Sequence, residues 1–131
     1  MLTVLIALSI VMFMPLVLAI TSIKFRANQF GKPDLQYPRD QAAKLTGAGR
    51  RIIAAQDNAW EALGLFLTAL VICWLAKVDF NNLVAPAVLF VLARISHASF
   101  YLANRGELRF LAFFASLVAL IWMLIVAFRS L

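Results

Sequence analysis

Four apolar runs dictate what this chain can become: Leu2 to Ile23, Ile52 to Ala76, Leu83 to Ala103 and Phe110 to Phe128. A helix rises about 1.5 Å per residue, so a run of about 20 residues crosses the hydrocarbon core of a bilayer. With 64% hydrophobic and 14% charged residues, there is too little polar surface to coat a soluble globule. Membrane-spanning strands would be about 10 residues of strict alternation, and these runs are apolar all round. The expectation is an all-α integral membrane protein, a four-helix bundle in which residues 1–131 form one membrane domain surrounded by lipid.

The first run invites comparison with a secretory leader, because it ends in the small-residue stretch VLAITS. It has no basic residue before Lys24, however, and its apolar stretch exceeds the usual core of such a leader. An uncleaved helix is expected, with Pro15 as a kink or weakened turn within it. Orientation follows from the basic residues. The segment from Lys24 to Arg51 carries Lys24, Arg26, Lys32, Arg39, Lys44, Arg50 and Arg51, and the third connection adds Arg105 and Arg109; the opposite side holds only Lys77 and Arg129. This asymmetry predicts a multi-pass protein with both termini on the non-cytoplasmic side. The net charge of +6 is thereby a topology signal, and the scatter of its residues over membrane-edge segments argues against nucleic acid as a partner.

Nucleotide and metal chemistry find no support. There is no Gly-rich phosphate loop, no HExxH and no paired CxxC; the lone Cys73 lies in an apolar run and reads as packing. His97 is the only histidine and has no carboxylates at ligand spacing, so no metal site is expected.

The polar residues inside the spans are the informative ones, because an unpaired charge there costs several kcal/mol. In the second run Arg51, Asn58 and Glu61 fall on one helix face at steps of seven and three, with Asp57 beside Glu61. In the third, Arg94, His97 and Tyr101 fall at steps of three and four. Two such stripes can face each other, with Glu61 and Arg94 as an intramembrane ion pair whose burial must be offset by good geometry. A register pin between helices and a ligand site both account for this pattern.

At these residues the chain resembles the family of membrane-associated proteins in eicosanoid and glutathione metabolism, which includes microsomal glutathione transferases and prostaglandin E synthase, and looks like a prokaryotic-type member. The resemblance is carried by RRIIAAQDNAWEALGLF on the second helix and by ARISHASFYLANRGELRF on the third helix and following turn. It implies a homotrimer of four-helix subunits, binding glutathione as substrate or cosubstrate between adjacent subunits on the cytoplasmic side. Carried over residue by residue, it implies that Asn58 and Glu61 hold the glutathione peptide and amino group, that His97 and Tyr101 contact the ligand, and that Arg94 is a buried arginine beside them. Arg109 matches the arginine linked to the reactive sulfur, after a one-residue shortening of the turn, and Lys24 or Arg26 a basic residue that meets a carboxylate. The chain departs from the eukaryotic pattern at Ala54 and Asp57, where arginines are expected, and at Phe110, where the prostaglandin synthase has a serine.

Chemistry makes those residue types intelligible. Glutathione carries two carboxylates, an ammonium and a thiol of pKa about 8.5, and only the thiolate is a good nucleophile. Glu61 suits the ammonium, Lys24, Arg26 or Arg51 the carboxylates, and Arg109 or Tyr101 the thiolate, as catalytic groups. Apolar electrophiles would reach such a site through the bilayer. The resemblance implies a glutathione-dependent transferase or peroxidase; the alternatives are a non-catalytic relative that binds another anionic thiol or lipid, and a purely structural membrane protein.

Overall fold

The computed structural model describes all 131 residues. Four long helices carry the apolar runs: α1 (Leu2–Phe30), α3 (Gly47–Leu75), α4 (Val84–Leu102) and α5 (Gly106–Arg129), with a short α2 (Pro38–Ala43) between the first two and a 3-10 turn (Phe80–Leu83) leading into α4. All four are long and apolar enough to span a membrane. The apolar runs coincide with them, overshooting α3 and α4 by no more than one residue, but α1 and α3 continue past the expected ends toward the basic connection. Lys24 and Arg26 are helical, as are Arg50 and Arg51. Hydrophobicity stops where the lipid core would stop, whereas a helix continues until a residue breaks its hydrogen bonding. For α1 that residue is Gly31, at φ 81, whose N–H still bonds the carbonyl of Ala27. Pro15 does not interrupt α1; it is buried on the helix's packing face, where its missing N–H leaves the Val11 carbonyl without the usual bond.

Side-chain spacing explains how the helices meet. The buried face of α1 runs Val4, Ala7, Val11, Pro15, Leu18 and Ser22 at helical steps. That of α3 contains Gly49, Ala55, Ala59, Ala62 and Ala69, small residues that let helices approach closely. Helices α3 and α4 form the middle of the bundle, α1 packing on both from one side and α5 on both from the other. Phe66 and Phe90 stack between α3 and α4 with ring centroids 4.6 Å apart. This pair belongs to the larger core cluster; a smaller one, of Leu18, Ile52, Ala55, Ala59 and Ala98, lies toward the basic end. Phe13, Trp74, Phe114 and many other large apolar side chains point outward, as expected of a surface solvated by lipid.

The helix ends are closed by local hydrogen bonds. Helices α3 and α4 both finish in a Schellman motif: the Val78 N–H bonds the Cys73 carbonyl and the Arg105 N–H the Phe100 carbonyl, with Lys77 and Asn104 in the left-handed region. The connection from α1 to α3 is ordered by three side chains. Gln29 bonds the Lys44 carbonyl and accepts from Thr46, Gln41 spans the Lys32 carbonyl and the Asp34 N–H, and the Asp34 carboxylate accepts from the N–H groups of Tyr37 and Gln36. Those two bonds, Tyr37 first, hold the Asp34 carboxyl below its ordinary range.

Candidate functional site

The two polar stripes do meet, through a residue that charge alone does not single out. Arg94 is 2% exposed and donates from Nη2 to Asn58 Oδ1 at 2.6 Å and to the Asn58 carbonyl at 3.1 Å. Asn58 Nδ2 in turn donates to Glu61 Oε2 at 3.3 Å. The expected direct ion pair between Glu61 and Arg94 is therefore replaced by a relay with Asn58 in the middle. The geometry of α3 explains this: Asn58 faces α4, whereas Glu61, three residues on, has turned to the exposed side of the bundle. An amide suits the middle position, since its oxygen accepts from the donor-only guanidinium while its nitrogen serves the carboxylate.

Beside this relay lies a cavity of about 40 Å³, lined by Asn58, Glu61, Arg94 and Ser116 together with Phe90 and Phe113. That volume suits water, against the several hundred Å³ of pockets that enclose small organic ligands. The Arg94 Nε is buried without a partner. Ser116 and Phe113, both from α5, are the contribution that sequence reasoning missed. Ser116 falls on the stripe Ala112, Ser116, Ala119 at helical spacing, a signal of burial but not of function.

One turn further toward the basic end, a second group joins α4 to α5. His97, 4% exposed, meets Tyr101 edge to face with centroids 5.2 Å apart, and its ring lies 6.3 Å from that of Phe113. On Tyr101 rests Arg109, its guanidinium carbon 4.3 Å from the ring centroid. This cation–π contact brings together the two residues expected to act on sulfur.

The remaining basic candidates lie apart from these groups. Lys24 is exposed on α1, and Arg26, partly buried, donates to the Pro38 carbonyl at 3.4 Å. Arg51 stands on α3 nearly two turns before Asn58, its Nε buried without a partner. Asp57 is exposed. The fold thus gathers Asn58, Glu61 and Arg94 into one relay and His97, Tyr101 and Arg109 into a second group, and leaves Lys24, Arg26 and Arg51 outside both.

What the arrangement offers chemically is an exposed carboxylate, fixed by an amide and backed by a buried cation, with a second cation stacked on a phenol one helix away. Comparison with known proteins gives one match: the model of the MAPEG family covers residues 1–129. No curated protein and no solved structure matches the chain. With nearly its whole length inside that match, and four membrane-length helices to agree with it, the chain belongs to the MAPEG family.

Proposed function

We propose that this protein is a membrane-bound, glutathione-dependent transferase or peroxidase acting on apolar electrophiles, at a site completed between neighbouring copies of the chain in a homotrimer. The observation that carries this reading is Glu61. Its carboxylate is held by Asn58 yet exposed on the side of a membrane-length helix, where apolar surroundings penalise an unpaired charge. A cation must reach it from outside the protomer, and the ammonium of glutathione is such a group. The cavity within one protomer is far too small for a tripeptide, which favours a site on the outer face, closed by a second copy. Lys24, Arg26 or Arg51 of one copy or the next would meet the carboxylates.

The chemistry asks little more of the chain. Arg109 on Tyr101 places positive charge and a hydroxyl where a thiolate would be stabilised. The thiol proton leaves to solvent, the sulfur bonds to the electrophilic carbon, and the leaving group departs with its electron pair. In the peroxidase variant the thiolate attacks the distal peroxide oxygen, releasing an alcohol after protonation; a second glutathione then reduces the sulfenic acid to disulfide and water. Holding both reactants at a fixed geometry supplies much of the acceleration. The basic connections would lie on the cytoplasmic side of a bacterial inner membrane, where glutathione is available.

A second reading is favoured by Arg94, whose two bonds to Asn58 pin α4 to α3 without any ligand. On that reading the protein is a non-catalytic family member binding another anionic thiol or lipid. Calorimetry in mild detergent with glutathione, its disulfide and other small thiols separates the two. Binding in the micromolar to millimolar range, with turnover of an apolar electrophile, supports the enzyme; thiol binding without turnover, or no heat with any thiol at millimolar concentration, leaves the non-catalytic reading.

A further inference from the structure

On the flank of the bundle away from the Asn58–Glu61 relay, α1 and α4 leave a groove between them. Its volume is about 390 Å³, and its walls include Phe13 and Val17 on α1 and Ile95, Ser99 and Leu102 on α4. Eight of its nine lining residues are hydrophobic, and the one hydroxyl, Ser99, is bonded to the Ile95 carbonyl of its own helix. The groove therefore presents no free donor and only the Ser99 hydroxyl oxygen as an acceptor, a lining that suits hydrocarbon.

Its basic end is different. On α1 the groove stripe Ile10, Phe13, Val17 continues at helical steps through Thr21, whose hydroxyl is turned back on the Val17 carbonyl, to the exposed Lys24. From Val17 to Lys24 is a climb of about 10 Å. On α4 the groove ends at Leu102, and the Schellman turn that follows delivers Arg105, also exposed, at the same end of the bundle. Lys24 and Arg105 make no hydrogen bond and no ion pair through their side chains, so their charge is unspent. An apolar groove with one free cation on the continuation of its α1 stripe and a second at the same end of the bundle has the shape and charge of one kind of molecule.

The geometry points to a site for an anionic phospholipid, with one acyl chain lying in the α1–α4 groove and the phosphate between Lys24 and Arg105. The site shares only Lys24 with the thiol reading; its groove lies between α1 and α4, away from Asn58 and Glu61, and it is measured by bound lipid rather than by turnover. Zwitterionic lipid fills the groove equally well but gains less from the cations. A single Lys or Arg near a membrane surface favours anionic lipid by about fivefold.

Native mass spectrometry of the whole protein in mild detergent, offered equal amounts of phosphatidylglycerol and phosphatidylcholine with identical chains, tests this. The wild type is expected to retain phosphatidylglycerol at least about fivefold over phosphatidylcholine. Replacing both Lys24→Gln and Arg105→Gln should bring the two lipids to parity without abolishing either. Val17→Trp, at a position 57% exposed where a larger ring meets no core, should abolish retention of both, and Ser99→Trp on the opposite wall should repeat that result. Equal retention of the two lipids by the wild type overturns the proposal, as does undiminished lipid in both tryptophan variants. Loss of an oligomer, rather than of lipid, in those variants would place a second copy of the chain in the groove and overturn it too.

Discussion

Arg94 and Asn58 are joined twice, side chain to side chain at 2.6 Å and side chain to backbone at 3.1 Å, and this pair, rather than Arg94 with Glu61, holds α4 to α3. The consequence is an order of mutational cost. Asn58→Ala removes the best acceptor of a buried guanidinium, worth about 1.5–3 kcal/mol for a hydrogen bond to a charged group. Glu61→Ala removes a carboxylate that accepts from Asn58 but leaves the buried Arg94 guanidinium both of its acceptors, and should cost less. Thermal unfolding in detergent should rank the variants in that order, and a double-mutant cycle should find strong coupling between Arg94 and Asn58 and weak coupling between Arg94 and Glu61. The reverse ranking would restore the direct ion pair.

Much of this was legible from residue spacing. Steps of three and four put Arg94, His97 and Tyr101 on one face, and His97 and Tyr101 do touch. Apolar run length located all four long helices. The partner of Arg94 was not legible, because formal charge favours the carboxylate while the turn of the helix decides which side chain arrives first. Ser116 and Phe113 were hidden for a different reason: an uncharged residue within an apolar run carries no mark of what lies opposite it. The extension of α1 to Phe30 was missed because hydropathy reports the lipid boundary and Gly31 reports the helix boundary.

The stack of Arg109 on Tyr101 separates ring from hydroxyl. Tyr101→Phe keeps the aromatic face and should leave Arg109 in place, whereas Tyr101→Leu removes a contact worth about 0.5–2 kcal/mol and should free the guanidinium. With glutathione bound, the ultraviolet absorbance of thiolate near neutral pH is the measure. Tyr101→Phe should lower it only if the hydroxyl itself contacts sulfur; Tyr101→Leu and Arg109→Ala should lower it together if the guanidinium does.

Acid should loosen the α1–α3 connection at Asp34. The Asp34 carboxyl is held below its ordinary range by the N–H groups of Tyr37 and Gln36, so its contribution is complete above the unfolded value and is lost as pH falls through the lowered folded one. Opening of these two N–H groups, read by hydrogen exchange and corrected for the intrinsic acid dependence of exchange, should therefore rise only at pH values below about 4. Asp34→Asn, which cannot ionise, should remove that pH dependence; a dependence that persists would assign it to another group.

Asp57 bears most directly on function. It is exposed on α3 immediately before Asn58, where the resemblance to eukaryotic relatives leads one to expect an arginine, and its negative charge stands beside Glu61 one turn away. A second carboxylate there opposes an anionic tripeptide, so the wild type should bind glutathione weakly. Asp57→Arg replaces repulsion with a charge-assisted hydrogen bond, worth about 1.5–3 kcal/mol, and should tighten binding by about ten- to hundredfold. Because the residue is exposed and bonded to nothing within the protomer, its replacement should leave the unfolding midpoint nearly unchanged, which separates affinity from stability. Calorimetry on both forms decides the matter: unchanged affinity in Asp57→Arg would mean that the ligand does not approach this face of α3, and with it the role proposed for Glu61 would fail.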